Sequence, residues 1–256
     1  MTDEIHGTTY EGGDGPTIVF LHSLGLDRTM WDDVVASLRG RYPMMVLDLP
    51  GHGASPLGEV ATVEAMADLI ATHLRSNGVS GAVIVGQSLG GFIAQVLAAQ
   101  TPDLVTGLVL IATTAWYGEN SASRWAARAQ AVLDDGLDAL PAFQRDRWFS
   151  QEYQRQEPAT VQRLLDILPT NDPGAYAAGC HVVGAFDGRH LLADIDVPAV
   201  VIVGEHDAAT PPGVAQVLVD GLRDARLRVL AGRRHLCTVE EPQAIVDELN
   251  ELVRRL

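Results

Sequence analysis

Residues 83–95 read VIVGQSLGGFIAQ, an apolar run that ends at a serine between glycines and passes at once into small and apolar residues. The apolar run predicts a buried strand, and the residues after Ser88 predict a helix that begins without an intervening loop. Glycine at positions 86 and 90 leaves space where a Cβ would collide with neighbouring backbone in so sharp a turn. This G-x-S-x-G pattern between a strand and a helix predicts that Ser88 is held out at the apex as a nucleophile.

Short apolar runs alternate with helical patterns along the rest of the chain. The predicted strands are 17–23, 44–50, 82–87, 107–114, 199–207 and 226–232, and the predicted helices are 29–39, 61–76, 89–100, 212–222 and 241–255. This alternation predicts an α/β fold whose central sheet is mostly parallel and is covered by helices on both faces. Right-handed crossovers bring the carboxyl ends of such strands to one edge, where functional sites lie. The segment before residue 12 is expected to add an antiparallel edge strand.

Residues 115–184 interrupt the alternation because they contain no good strand. The segment carries three of the four tryptophans and arginines at 124, 128, 145, 147, 155 and 163. We expect it to form helices inserted between two core strands and to cover the sheet edge as a lid. The predicted domains are therefore a core of residues 1–114 and 185–256 and a lid of residues 115–184. The alternative is a helical extension with no role over the site.

Composition and charge exclude several classes of function. The formal net charge of −15 repels phosphate backbones, so nucleic acid is not expected as a partner. No apolar run is long enough to span a membrane, and the stretch MTDEIHGTTYEGGDG lacks the basic start and apolar run of a signal peptide. Cys180 and Cys237 lie far apart, so neither a disulfide framework nor a zinc site is expected. We expect a cytoplasmic protein without membrane contact, and a homo-oligomer is left open.

Two later residues are expected to form a catalytic triad with Ser88. A serine hydroxyl is a weak nucleophile near pH 7 and needs a neighbouring base. His235 follows the last predicted strand and Asp207 ends the strand before it, so both fall at the sheet edge that carries Ser88. His235 is expected to take the serine proton, and Asp207 is expected to orient the imidazole. Glu205, two residues earlier, is the alternative to Asp207.

The segment after the first core strand, HSLG, is expected to supply half of an oxyanion hole. The backbone N–H groups of Leu24 and Leu89 would point at a carbonyl oxygen that gains negative charge. Ser23, in the same loop, is expected to contact substrate. His22 and His52 are interpreted as structural histidines, and His52 lies between two glycines in a tight turn after a strand.

The motifs HSLG, DLPGHGAS, GQSLGG, GEHD and RHL, in this order, resemble those of the α/β-hydrolase superfamily across nearly the whole chain. The order Ser88, Asp207, His235 is that of the family's triad. A narrower resemblance, to 3-oxoadipate enol-lactonases, which are ring-opening hydrolases of aromatic catabolism, is carried by DRWFS (146–150), YAAGC (176–180) and DIDVPAVVIVGEHDAATPP (194–212). The resemblance implies an α/β-hydrolase fold and a serine hydrolase for a small lactone or ester. No metal or organic cofactor is implied, because this triad needs neither.

The sequence departs from the enol-lactonase pattern at the elbow and near His235. Gln87 and Leu89 stand where Leu and Met are expected in that family, and Leu-Cys-Thr follows His235 where Leu-Ser-Asn is expected. Substrate contacts are expected from three residues of the predicted lid, Trp125, Arg147 and Trp148. Arg147 is the first choice for binding a carboxylate on the substrate, since such a group needs a cation in a negatively charged protein.

Several alternatives to an enol-lactonase remain open. A general carboxylesterase, a thioesterase or a C–C bond hydrolase could use the same triad, and a cofactor-free oxygenase or perhydrolase could use the same fold. A different class is a non-catalytic ligand-binding protein on a hydrolase scaffold. The intact triad and elbow glycines argue against that class, since a retired enzyme commonly loses one of them.

Overall fold

The computed structural model describes residues 4–256, so residues 1–3 of the predicted core segment lie outside the described part. Seven strands form one sheet in the order β1-β3-β2-β4-β5-β6-β7. Their bounds are β1 Gly7–Tyr10, β2 Ile18–Leu21, β3 Met44–Leu47, β4 Ala82–Gln87, β5 Val105–Ile111, β6 Ala199–Gly204 and β7 Ala225–Leu230. β1 pairs antiparallel with β3, which confirms the expected edge strand, and every other pairing is parallel.

Eleven α-helices surround this sheet within the described residues. Their bounds are α1 Asp32–Leu38, α2 Val63–Ser76, α3 Leu89–Gln100, α4 Ser121–Asp135, α5 Leu140–Trp148, α6 Gln151–Gln156, α7 Pro158–Leu165, α8 Pro173–Ala185, α9 Pro212–Gly221, α10 Cys237–Glu240 and α11 Pro242–Val253. Strands β2, β3, β4 and β6 are buried at every position, as expected for strands covered on both faces. The predicted α/β architecture is therefore confirmed. No helix between residues 4 and 256 has the length and apolar character that crossing a membrane requires.

Helices α4 to α8 lie between β5 and β6, where the sequence predicts inserted helices. The first of them begins at Ser121, and the segment before it makes an isolated bridge between Trp116 and Asp187. This bridge brings the two ends of the insertion together where they leave and re-enter the core. The division of the chain into core and lid remains a prediction.

Several elements end earlier than the sequence predicts. β6 ends at Gly204 rather than at Asp207, because the chain turns there: the Asp207 N–H donates to the Gly204 carbonyl at 3.1 Å. The Asp207 carboxylate also accepts from the Ala209 N–H at 2.8 Å, which stabilises the turn. Asp207 therefore lies in the loop beyond the strand, at the same sheet edge. The predicted helix 29–39 is a short 3₁₀ turn, Arg28–Trp31, followed by α1.

The turn from β4 into α3 depends on glycine at two positions. A Cβ at Gly86 would lie 2.3 Å from the carbonyl oxygen of Gly90, and a Cβ at Gly90 would lie 2.2 Å from the carbonyl oxygen of Leu21. Both contacts are with backbone, so no side chain could rotate away to relieve them. Ser88 between them has φ 52° and ψ −111°, a conformation that non-glycine residues rarely adopt. The strain at Ser88 is thus held in place by the packing around it.

We predict that Gly90→Ala destabilises the protein by about 2–3 kcal/mol or more, because a methyl group is forced into backbone that cannot move aside. Urea denaturation of Gly90→Ala and of the wild-type protein measures the change in the free energy of unfolding. The matched control is Gly213→Ala in α9, where a Cβ meets no atom within 4 Å. That variant should be neutral or more stable by roughly 0.5–1 kcal/mol. Equal midpoints for the two variants would contradict the packing argument.

Candidate active site

Hydrogen bonds to neighbouring residues satisfy the backbone groups of Ser88. The Ser88 N–H donates to the Ile111 carbonyl at 2.9 Å, which joins the elbow to β5. The Ser88 carbonyl accepts from the Thr113 hydroxyl at 2.8 Å and from the Gly91 N–H at 2.9 Å. Its backbone groups are therefore satisfied by the protein, and the residue lines a cavity of about 620 Å³. This is the position that a nucleophile requires.

His235 and Asp207 are in direct contact. His235 Nδ1 lies 2.8 Å from Asp207 Oδ2, and both residues are buried. The other bonds of this carboxylate come from the Thr210 hydroxyl at 2.7 Å and from the N–H groups of Thr210 and Ala209. His235 also lines the cavity that Ser88 lines. The structure thus brings all three predicted triad residues to one place.

The protonation of the pair follows from its hydrogen bonds. Burial by itself raises the pKa of Asp207, but the contacts with His235 and Thr210 outweigh it and leave the pKa below its ordinary value. An ionised carboxylate only accepts, so the hydrogen between the two residues belongs to Nδ1 of His235. Nε2 then carries the lone pair that a general base needs.

Glu205, the alternative to Asp207, has other partners. Its carboxylate accepts from the Gly232 N–H at 2.8 Å and lies 3.9 Å from His206 Nε2. The side chain is about half exposed, whereas that of Asp207 is fully buried. The geometry favours Asp207 as the partner of His235.

His22 fixes the orientation of the loop that carries Leu24. The Leu49 N–H donates to His22 Nε2 at 2.9 Å, so Nδ1 must hold the proton and donate to the Ser23 carbonyl at 2.8 Å. Burial lowers the pKa of His22, which keeps the ring neutral as this arrangement requires. His22 is therefore a structural histidine that joins the ends of β2 and β3. His52 Nδ1 likewise lies 3.0 Å from the Pro50 carbonyl oxygen.

The two predicted oxyanion donors are the backbone N–H groups of Leu24 and Leu89. In a trans peptide the N–H of Leu24 points opposite to the Ser23 carbonyl, which His22 and the Leu26 N–H hold. The elbow is tied to the same loop, since the Gly90 N–H donates to the His22 carbonyl at 3.1 Å. Among residues 4–256, no protein acceptor takes the N–H of Leu24 or of Leu89. Their role as an oxyanion hole remains a prediction.

Gln87 and Thr238, which depart from the enol-lactonase pattern, contact each other in the core. The Gln87 side chain is fully buried and donates from Nε2 to the His235 carbonyl at 2.8 Å. The Thr238 hydroxyl donates to Gln87 Oε1. Gln87 therefore fixes the backbone of His235 through a hydrogen bond, and Thr238 orients the Gln87 side-chain amide. Sequence reasoning missed this role, because the two positions are 151 residues apart.

A second set of bonds joins the His235 loop to the inserted helices. The Leu236 N–H donates to the carbonyl of Trp148, the last residue of α5, at 3.0 Å. Glu240 is buried, and its two carboxylate oxygens accept from the N–H groups of Ser150 and Arg234, each at 2.6 Å. His235 lies between these attachment points. Its position therefore depends on the insertion as well as on the core.

The cavity collects the other predicted contact residues. Ser23, Leu24, Trp125, Arg147 and Trp148 all line it, together with Ser88 and His235. Most of the remaining wall comes from α4 and α5, at Arg124, Arg128, Ala131, Val132, Asp135, Leu140, Phe143 and Gln144. Within residues 4–256, no cluster of three or more His, Cys, Asp and Glu side chains has the arrangement of a metal site. Cys180 and Cys237 are free thiols, and both are buried.

Tyr117 is a cavity residue that sequence reasoning missed. Its phenol lies beside Ser88, and its ring packs edge-on against Phe92 with 5.9 Å between the centroids. Burial raises the pKa of Tyr117 above its ordinary value, so the hydroxyl stays protonated and can donate a hydrogen bond. No signal in the sequence distinguishes this tyrosine from others, because only the folded insertion places it next to the elbow.

Comparison with known proteins identifies the family. A sequence profile described as "Alpha/beta hydrolase family" matches residues 18–248, which is most of the chain. The chain belongs to the alpha/beta hydrolase family. This confirms the predicted fold and the expectation that the protein is a hydrolase.

Relatives within this family include lactonases and esterases. The chain is 31% identical over 251 residues to 3-oxoadipate enol-lactonase 2 of Acinetobacter baylyi, covering 96% of this chain and 92% of the relative. It is 33% identical over 235 residues to a pimeloyl-[acyl-carrier protein] methyl ester esterase of Neisseria meningitidis, covering 85% and 86%. A crystal structure of the enol-lactonase from Burkholderia xenovorans matches with a TM-score of 0.92 and 29% identity, covering 98% and 96%. These comparisons confirm that the chain is similar to enol-lactonases, as the sequence motifs predict.

We predict that Gln87→Leu lowers kcat about tenfold with little change in KM, because the backbone of His235 loses a buried donor and the base is less well positioned. The free energy of unfolding should fall by about 1–3 kcal/mol, since the Thr238 hydroxyl is also left without its acceptor. Kinetics with an activated ester and urea denaturation measure the two effects.

The double variant Gln87→Leu/Thr238→Val tests whether the pair acts together. Removing both partners should cost less stability than the two single changes combined, with a coupling above about 0.5 kcal/mol. Gln216→Leu, at an exposed glutamine of α9 that bonds Asp220, is the control and should change neither property. If the stability losses of the two single variants simply add in the double variant, Gln87 and Thr238 are not coupled.

Proposed function

We propose that this protein is a serine hydrolase that opens a small lactone, or cleaves a small carboxylic ester, through an acyl-enzyme at Ser88. One observation carries the proposal: the His235–Asp207 pair, with 2.8 Å between its polar atoms, faces the same cavity as a serine held in a strained elbow. This is the arrangement of nucleophile, base and orienting carboxylate that acyl transfer needs.

The residues define each step of the proposed reaction. His235 Nε2 takes the Ser88 proton as Oγ attacks the carbonyl carbon, and Asp207 stabilises the imidazolium that forms. The N–H groups of Leu24 and Leu89 donate to the oxyanion, where losing one donor typically costs about 10²–10³ in rate. The C–O bond then breaks as the His235 imidazolium gives its proton to the leaving oxygen, which stays tethered to the acyl group when the substrate is a lactone. Water, deprotonated by His235, attacks the acyl-enzyme and releases the acid and the serine.

An enol-lactone is the substrate that we favour. The Acinetobacter and Burkholderia relatives are named as enol-lactonases, and the chain spans nearly their full length. The cavity has the volume of a small-molecule site. An enol is a better leaving group than an alkoxide, so acylation would need less help from His235. A small lactone of aromatic catabolism would be met in the cytoplasm, where we propose that the protein acts.

An ester hydrolase is the second candidate, because the Neisseria relative is named as a methyl ester esterase at similar identity. The same triad would cleave such an ester by the same steps, with methanol as the leaving group. Thioesters and C–C bonds are further substrates for this triad. A protein that only binds ligands is disfavoured, because Ser88, Asp207, His235 and both elbow glycines are all present.

Hydrolysis of 3-oxoadipate enol-lactone beside p-nitrophenyl acetate and butyrate tests the proposal. We expect a lactone kcat/KM of roughly 10⁶ M⁻¹s⁻¹ or more, with the simple esters slower by orders of magnitude. Turnover of the esters alone would favour the second candidate. Ser88→Ala should abolish all turnover and labelling by a fluorophosphonate probe. Ser37→Ala, at an exposed serine of α1, is the control and should retain both.

We predict that Asp207→Asn lowers kcat by about 10³–10⁴, because the amide no longer holds the imidazole in the required tautomer. Glu205→Gln, which removes the nearby carboxylate without touching His235, should change kcat less than threefold. Steady-state kinetics with the best substrate measure both, and circular dichroism checks the fold. A larger loss in Glu205→Gln than in Asp207→Asn would reverse the assignment.

A further inference from the structure

Arg128 lies in an unusual place for a positive charge. Its guanidinium carbon is 5.1 Å from the ring centroid of Trp125, 5.6 Å from that of Phe143 and 5.5 Å from that of Tyr176. These rings belong to α4, α5 and α8, so three inserted helices converge on one side chain. Aromatic faces attract a cation, but they leave its hydrogen-bonding capacity unused. Arg128 also lines the cavity that Ser88 and His235 line.

The Arg128 guanidinium is only partly satisfied by the protein. One terminal nitrogen donates to the Tyr176 hydroxyl, and Nε is buried without any hydrogen-bond partner. Burial raises the pKa of Tyr176 to about 12, so this phenol is neutral and does not offset the charge. Among residues 4–256, no carboxylate lies within 4 Å of the guanidinium. By contrast, Arg28, which is also partly buried, pairs with the Asp48 carboxylate.

A missing counter-ion is unexpected in this chain, whose formal net charge is −15. Carboxylates are abundant, yet the only one that lines this cavity within the described residues is the exposed Asp135. The two other arginines of the wall differ from Arg128. Arg124 donates to the Tyr117 carbonyl at 2.9 Å, and Arg147 lies over the Phe143 ring at 5.0 Å. Within residues 4–256, Arg147 is also half-buried and has no carboxylate within 4 Å. Of the three arginines, only Arg128 lies near three aromatic rings and has a buried guanidinium nitrogen without a hydrogen-bond partner.

We propose that Arg128, enclosed by Trp125, Phe143 and Tyr176, is the subsite that binds a carboxylate of the substrate while the scissile carbonyl lies at Ser88. This inference rests on the proposed function and adds the substrate class to it. Arg147, which the sequence analysis names as the first choice for binding the carboxylate, would then only line the cavity. A ligand carboxylate would supply the counter-ion that the protein lacks there, and the planar guanidinium matches it in shape.

The subsite separates the two candidate substrates by their chemistry. An enol-lactone of a dicarboxylic acid uses one carboxyl group in the ring and keeps the other as a free carboxylate. A dicarboxylic acid that is esterified at one end and bound to a carrier at the other has no free carboxylate. An unpaired guanidinium in the cavity therefore favours the first class, because a neutral substrate would leave the charge buried and uncompensated.

Two matched esters test the subsite: the p-nitrophenyl monoester of adipic acid, and the same ester with its free carboxyl group methylated. Wild-type protein should prefer the acid. Arg128→Met keeps the packing volume against the rings and removes the charge. It should lower kcat/KM for the acid about 10- to 100-fold, mostly through KM. The methylated ester should change less than about threefold. Arg128→Lys should lie between, since it keeps the charge and loses the planar fork.

Arg155→Gln is the control for loss of one positive charge, because Arg155 lies on α6 outside the cavity wall and bonds the Gln151 carbonyl. It should leave the preference for the acid unchanged. If Arg128→Met slows both esters equally, or neither, the subsite proposal is wrong even though the hydrolase proposal stands. Urea denaturation of each variant shows whether a common loss comes from unfolding.

Binding of adipate separates failure of the subsite from failure of the proposed function. Calorimetry with wild-type protein should detect adipate, and Arg128→Met should weaken its binding about 10- to 100-fold. If neither ester nor 3-oxoadipate enol-lactone is hydrolysed but adipate binds through Arg128, the subsite stands and the hydrolase proposal fails. If adipate does not bind, or binds Arg128→Met as well as wild type, the subsite proposal is overturned.

Discussion

Helix α3 can begin directly behind β4 only because no Cβ occupies positions 86 and 90. At either position a methyl group would lie within 2.3 Å of a backbone oxygen. The close approach lets the Gly90 N–H donate to the His22 carbonyl, so the elbow and the loop after β2 are one hydrogen-bonded unit. Ser88 and Leu24 line the same cavity as a result. Every other part of the site is arranged around this contact.

His235, the proposed base, is held from two directions by buried polar groups. Asp207 holds the ring of His235, and Gln87 holds its backbone carbonyl. The neighbouring backbone is bound to the inserted helices through Glu240 and the Trp148 carbonyl. Buried polar groups of this kind tolerate little error, because each one left unpaired costs stability. The same bonds that position the imidazole therefore also fix the insertion relative to the sheet edge.

The cavity has a polar end at the elbow and an aromatic end around Arg128. At the elbow, polar groups surround the place where a carbonyl would react. Toward α4 and α8, aromatic rings enclose Arg128, whose charge has no protein counter-ion within the described residues. If the proposals hold, the core of the fold carries the reaction and the inserted helices carry the choice of substrate.

The sequence by itself determined the alternation of strands and helices, the elbow and the three residues expected as a triad. These follow from local patterns: apolar runs, a serine between glycines, and polar residues just beyond strands that share one edge. Only the tertiary structure decided which arginine of the cavity is enclosed by three aromatic rings, and that Gln87 contacts Thr238. Such contacts join residues far apart in the chain through the packing of the inserted helices and the His235 loop. The residue pattern of one segment does not predict which distant segment packs against it.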